Sequence, residues 1–280
     1  MGGMDRTGGL GAQPAPASNR IRAGRRLIGV GVGPGDPDLI TVKAVGVLER
    51  ADVVFVPVSE GTPPPGRAEA TVRAHVTHDR IRRLPFRMTG DADYDTPAEV
   101  VAQALRTHAG SHRGGSPGDS QGGGVAFATI GDPNVYSTFT TLAARVRALL
   151  PDVVVETVPG IMALQDLAAR SGTVLAVGTE TVALLPLTAG VDAYRRAVAD
   201  HDTVIAYKGG RALPRVLDIL AEADRLGGPG DTDSTSGTAV YGASLGLADC
   251  DVRPAGELPR DQPGPYLSTV ISTRRRQWPT

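Results

Sequence analysis

The sequence predicts an α/β protein of two domains, with sheets flanked by helices. Three observations carry that expectation. A strand, a loop, a helix and a second strand follow one another between Arg26 and Pro57, a βαβ unit that requires neighbouring parallel strands. Short apolar runs alternate with segments of helical period along most of the chain. The pattern then breaks at Leu149-Leu150-Pro151 and restarts with a strand. The expected organisation is a leader at 1–25, domains at 26–150 and 151–275, and a tail at 276–280.

The 280 residues are enough for two sizeable cores. With 29 basic and 30 acidic residues the formal net charge is -1, which argues against a nucleic-acid-binding face. Only 4% of residues are aromatic, too few for a base-stacking platform. A single cysteine, Cys250, excludes an intrachain disulfide and a cysteine-rich metal site. No apolar run approaches the roughly 18 residues of a membrane helix. A cytoplasmic protein is expected. The 36 glycines and 22 prolines make up about a fifth of the chain without a period, so loops are expected and collagen is excluded.

Residues 1–24 show no apolar period and read as a disordered leader. Leu27 to Val32 is a buried strand, Gly33-Pro34-Gly35-Asp36-Pro37 a loop, 38–50 a helix carrying Ile40, Ala44, Val47 and Leu48, and Ala51 to Pro57 a second buried strand. A helix follows at 68–76, then a short strand at Leu84-Pro85-Phe86. A helix at 97–109 has Thr96 as its N-cap and Pro97 in first position. Gly114 to Gly124 is a flexible insert. Val125 to Ile130 is a strand, Gly131-Asp132-Pro133 a loop and 137–150 a helix. The second half reads as a strand at 153–158, a helix at 161–171, a strand at 181–186, helix 191–199, strand 203–207, helix 212–225, a flexible insert at 227–237, and last strands at 238–241 and 267–272.

The glycines after the first strand match neither common nucleotide loop. The dinucleotide fingerprint would need glycine where Pro34 or Asp36 stands, and no Gly-Lys-Ser/Thr of a phosphate loop is present. Yet four strands end in turn residues: Gly31 to Pro37, Gly131-Asp132-Pro133, Pro159-Gly160 and Lys208-Gly209-Gly210. In open α/β sheets ligands bind beyond the carboxyl ends of strands, and glycine there lets a ligand approach the backbone. A small-molecule cleft is the expectation, with a plain structural turn as the alternative for any one loop.

These same residues resemble a known family. Gly31-Val32-Gly33-Pro34-Gly35-Asp36-Pro37-Asp38-Leu39-Ile40-Thr41-Val42-Lys43-Ala44, Ala51-Asp52-Val53-Val54, Gly131-Asp132-Pro133-Asn134-Val135-Tyr136-Ser137 and Val158-Pro159-Gly160-Ile161 resemble, in order, the motifs of the tetrapyrrole (corrin/porphyrin) methyltransferases. The likeness covers residues 26 to 273. Within the family the chain is most similar to the branch that methylates C20 of precorrin-2 to give precorrin-3A in cobalamin biosynthesis. Phe55-Val56-Pro57, Tyr136-Ser137-Thr138-Phe139 and Pro265 to Ile271 carry that finer likeness.

The resemblance implies the two-domain tetrapyrrole methylase fold, each domain a mixed sheet flanked by helices, and use of S-adenosyl-L-methionine. It implies a cofactor lined by Pro34, Gly131, Asp132, Val135, Met162, Ala163, Lys208 and Ala243. Met162, Ala163 and Tyr207-Lys208 depart from the family's usual residues. The reaction would be an in-line displacement at a sulfonium methyl by an electron-rich carbon, and positioning supplies much of its rate. No catalytic residue is assigned. A polycarboxylate substrate suits arginine, so Arg87 and Arg211, with Tyr136, are the candidate substrate contacts, and Arg80, Arg82 and Arg83 extend the cluster. His75 and His78 have metal-like spacing but no third ligand nearby, so no metal is expected. Relatives that are commonly homodimers imply a homodimer. Alternatives are another corrin methylation step (cobalt-loaded acceptor or different carbon), an RNA- or protein-methylating relative of the same fold, and a binding module without turnover.

Overall fold

The computed structural model describes residues 24–59, 65–86, 93–109, 123–228 and 236–276. The predicted leader, most of both glycine-rich inserts and the final tail lie outside them. The chain forms two five-stranded sheets.

The first sheet has the order β3-β2-β4-β1-β5, from β1 (Arg26–Gly31), β2 (Val53–Ser59), β3 (Ile81–Phe86), β4 (Val125–Thr129) and β5 (Val154–Val158). Every pairing is parallel. The reason is local: each connection carries a helix, and only such a crossover returns the chain in the same direction. The mixed sheet expected for this half is therefore corrected to a wholly parallel one. Its strands alternate between two cores. Leu27, Val53, Phe55 and Phe127 face α3 (Asp95–Thr107) and α4 (Thr138–Leu149). Ile28, Val30, Val54 and Val56 face α1 (Val42–Arg50) and α2 (Arg67–His75). With helices on both faces, β1 after Arg26 and all of β4 are buried and mostly apolar, as parallel strands should be.

The strand expected to open the second domain does not. β5 lies beside β1, with Leu27 opposite Val155 and Val30 opposite Val158, so the chain leaves the first sheet after Val158 and not at Pro151. Pro151 ends α4; it does not separate sheets.

The second sheet, β6-β7-β10-β8-β9, is mixed. β6 (Val182–Pro186) and β7 (Thr203–Tyr207) are parallel. β10 (Ser268–Thr273) is antiparallel to β7 and β8 (Thr238–Ala243), and β8 to β9 (Asp251–Pro254). α6 (Val191–Asp200) and α7 (Leu213–Glu222) cover one face around Tyr194, Val216, Leu217 and Leu220. α5 (Ala163–Ser171) covers the other through Leu164 and Leu167. The strand β9 was not expected: it is four residues long, and Val252 alone among them has a clearly apolar, strand-forming side chain.

Helix starts differ from the sequence reading for identifiable reasons. The segment 38–50 splits into a 3-10 turn, Pro37–Leu39, and α1, whose cap is Thr41 with its Oγ1 accepting from the Ala44 amide at 3.1 Å. α3 begins two residues early because the Asp93 carboxylate accepts from the amides of Asp95 and Thr96 and from the Thr96 hydroxyl. Thr96 is a donor in that first turn and not its cap.

Candidate functional site

The carboxyl ends of β1, β4 and β5 meet at three glycines. A Cβ at Gly31 would stand 2.5 Å from the Gly131 carbonyl oxygen and 2.6 Å from the Gly160 nitrogen. A Cβ at Gly160 would collide with the same carbonyl. Two of the strand-end glycines are thus required by backbone packing on backbone, which corrects, at Gly31 and Gly160, the expectation that glycine there is open to a ligand. Gly131 is the open one: its φ is +70° and nothing lies within 4 Å of where its Cβ would be. Its amide donates to the Gly33 carbonyl at 2.8 Å, which pins the loop after β1 to the loop after β4.

Asp132 ties the same loops together. One carboxylate oxygen accepts from the Asn134 amide at 2.8 Å, an Asx turn, and the other from the Gly160 amide at 3.1 Å. Ser137 then caps α4, accepting from the Phe139 amide at 3.1 Å.

Opposite this floor stand residues of the second sheet. The Tyr136 hydroxyl donates to the Leu184 carbonyl in β6 at 3.1 Å, and Lys208 Nζ donates to the Tyr136 carbonyl at 3.3 Å. The Tyr136 and Tyr207 rings meet edge to face at 6.3 Å. The Tyr207 hydroxyl accepts from the Leu164 amide at 2.8 Å, holding the start of α5. Burial pushes the Tyr207 phenol up to about 12, so it stays neutral, and pushes the Tyr136 phenol up as well. Burial also draws the Lys208 ammonium below the usual lysine range. Tyr136, Lys208 and Ser244 have φ of 48°, 57° and 50°. Non-glycine residues rarely adopt that region; Tyr136 and Lys208 line one space and Ser244 delivers Leu245 to it, a clustering that marks a functional site.

That space is a cleft of about 420 Å³ between the two sheets, within the size range of small-molecule sites. Pro34, Gly131, Asp132, Val135, Met162, Ala163 and Lys208 line it together, and so does Tyr136. Ala243 does not: it is 3% exposed inside the core of the second sheet. The left-handed backbone at Ser244 ends the strand alternation, and Leu245 reaches the cleft instead. Arg211 is exposed on a 3-10 turn away from the lining. Arg87 lies outside the described residues. The remaining arginines of that cluster are committed elsewhere or face away. Arg80 donates to the carbonyls of Ala51 and Glu49, Arg83 pairs with Glu69 at 2.7 Å, and Arg82 is exposed beside α3.

His75 and His78 each meet a different backbone carbonyl, Pro37 at 2.8 Å and Leu48 at 3.1 Å. Among the described residues no group of three or more His, Cys, Asp or Glu could hold a metal ion, and no helix is long and apolar enough to cross a membrane.

The geometry defines an α/β protein with a cleft for a small molecule at the strand ends. Residues 26–232 match the tetrapyrrole (corrin/porphyrin) methylases, and the chain belongs to that family of methyltransferases. Among curated relatives, the precorrin-2 C(20)-methyltransferase of a Sinorhizobium species is 32% identical over 88% of this chain and 94% of its own length. The cobalt-precorrin-2 C(20)-methyltransferase of Salmonella typhimurium is 28% identical over 90% and 97%. Among solved structures, uroporphyrin-III C-methyl transferase from Thermus thermophilus complexed with S-adenosyl homocysteine superposes with a TM-score of 0.58, covering 89% of this chain and 97% of that one at 18% identity. The cobalt precorrin-4 methyltransferase CbiF gives 0.60 at 18% identity, over 92% of this chain and 98% of its own. At these identities the two structures speak to the fold alone.

Proposed function

We propose that this chain transfers a methyl group from S-adenosyl-L-methionine to C20 of precorrin-2, giving precorrin-3A in cobalamin biosynthesis. The observation that carries the reading is the near full-length match to a C20-methylating relative, combined with a cleft lined by seven of the eight residues, all but Ala243, that the family resemblance assigns to the cofactor. S-adenosyl-L-methionine supplies a sulfonium methyl, open to displacement by an electron-rich meso carbon.

The chain's own contribution is placement. Gly131 offers bare backbone, Asp132 fixes the loop that presents it, and Met162 and Ala163 at the start of α5 close the pocket. Holding donor and acceptor carbons at roughly 3–3.5 Å in line is worth several orders of magnitude in rate. Pro57 lines the cleft without a titratable group, which suits an acceptor that needs no deprotonation before attack.

A homodimer in the cytoplasm completes the reading. Val174, Val177 and Val182 are each more than 40% exposed near edge strand β6, an apolar strip that a second copy would cover.

The test is anaerobic incubation of purified protein with methyl-labelled S-adenosyl-L-methionine and either precorrin-2 or its cobalt complex. The expected product is heavier by one methyl, with the label at C20 by NMR. Absence of methylated product from both acceptors overturns the reading, and label at another carbon moves it to a different corrin methylation step. Turnover of the cobalt complex alone favours the reading suggested by the Salmonella relative. Light scattering at twice the chain mass checks the dimer.

A further inference from the structure

Among the described residues, the cleft has three charged side chains in its lining: Asp132, Lys208 and Arg67. Two are already engaged. Both Asp132 oxygens accept backbone amides, and Lys208 Nζ donates to the Tyr136 carbonyl. Arg67 is half-buried, and its guanidinium has no ion pair or hydrogen bond, although Glu69 two residues on is shared by Arg73 and Arg83. Among the described residues of the cleft it is the cation left free to meet an anion.

Its position separates it from the cofactor residues. Arg67 opens α2 beside Pro57, Val58 and Phe86, at the ends of β2 and β3. Pro34, Gly131 and Met162 stand beyond β1, β4 and β5. In the sheet order β3-β2-β4-β1-β5 these are opposite sides of one opening. An anion held by Arg67 is therefore at the acceptor's end and not the donor's.

We infer that Arg67 binds a peripheral carboxylate of the tetrapyrrole acceptor and so sets which meso carbon faces the methyl group. The inference rests on the proposed function and adds to it the residue that orients the acceptor. Guanidinium is suited to the task, since its planar donor fork takes a carboxylate through two parallel hydrogen bonds. The remaining described lining at that end, Pro57, Val58, Ser59, Gly66, Ala68 and Phe86, offers the macrocycle a mostly apolar wall and, among the described residues, no second cation.

The experiment compares wild type, Arg67→Ala and Arg67→Lys in steady-state methylation of precorrin-2, with S-adenosylhomocysteine binding measured by calorimetry on each. The expected result for Arg67→Ala is a rise in KM for precorrin-2 of about 10- to 100-fold, the range for one charge-assisted contact. S-adenosylhomocysteine affinity should stay within twofold, and Arg67→Lys should recover part of the loss. The wild-type KM should climb with salt more steeply than that of Arg67→Ala. A KM unchanged in Arg67→Ala, with wild type active, overturns the inference and leaves the functional reading standing. Equal losses of precorrin-2 and S-adenosylhomocysteine binding overturn it too, since they mark a general distortion of the cleft. Wild type that leaves precorrin-2 unmethylated overturns the functional reading, and Arg67's assignment falls with it.

Discussion

The two walls of the cleft are built by different means. The first sheet presents backbone: Gly31, Gly131 and Gly160 meet so closely that no side chain fits at two of them. The second sheet presents side chains, with Tyr207, Lys208 and Leu245 reaching the cleft from turns beyond its strands. A floor of backbone has one arrangement, because neighbouring carbonyls and amides cannot swing aside. A wall of side chains has many, and its members are replaceable one at a time. Substitutions in the floor should therefore act on folding and ligand binding together, and those in the wall more gently.

The largest effect should come from Gly31→Ala. The added methyl meets backbone on two sides, so relief requires moving strand ends. A loss of about 3 kcal/mol or more in urea unfolding is expected, with loss of measurable S-adenosylhomocysteine binding. A stable variant with intact binding would break the distinction between floor and wall.

Arg225 holds the second sheet's unit together from inside. It is 3% exposed, and its guanidinium donates to the carbonyls of Val198, His201 and Asp202 at the end of α6. Arg225→Met should cost about 2–4 kcal/mol by denaturant titration. S-adenosylhomocysteine affinity at low temperature should change little, since Arg225 does not reach the cleft.

Glu69 tests the first unit through pH. Its side chain is inaccessible, and hydrogen bonds and charge from Arg83 and Arg73 hold its carboxyl below the usual glutamate range. A carboxyl lowered on folding stabilises above its unfolded value of 4.5, and that contribution disappears as the pH falls through the folded value. Glu69→Gln should lose about 1–2 kcal/mol at pH 7, and the gap to wild type should close on acidification below 4.5, followed by thermal unfolding across pH.

Tyr136→Phe should give the smallest change. It removes one hydroxyl bond between the two halves, Tyr136 to Leu184. About 0.5–1.5 kcal/mol of stability and a severalfold rise in KM are expected, and since burial holds the Tyr136 phenol above its ordinary range, the effect should not depend on pH around neutrality.

The floor was legible in the sequence and the wall was not, for the same physical reason. A backbone floor demands glycine and proline at fixed places, and Gly31, Pro34, Gly131 and Gly160 stand out in any reading. Side-chain walls leave no such mark. Arg67 follows a run of prolines and glycine and looks like any helix start. Ala243 is expected at the site from the family resemblance alone, and the turn at Ser244 that puts Leu245 there instead is invisible without coordinates. Strand β5 was assigned to the wrong sheet because its residues fit either, and only the register against Arg26 to Val30 decides. The two histidines at metal-like spacing proved to be bound to separate carbonyls, which spacing alone cannot reveal.

The meeting of the three glycines sets how this protein can change over time or at the hands of an engineer. Gly31 and Gly160 pack on each other and on the Gly131 carbonyl, so a side chain added at either meets backbone that no single substitution moves aside. Exploration of new acceptors is confined to side chains: Tyr207, Lys208 and Leu245 on the second sheet's wall, and Arg67 at the β2–β3 end of the first sheet. Libraries aimed at a different macrocycle should leave the junction untouched and randomise those four positions.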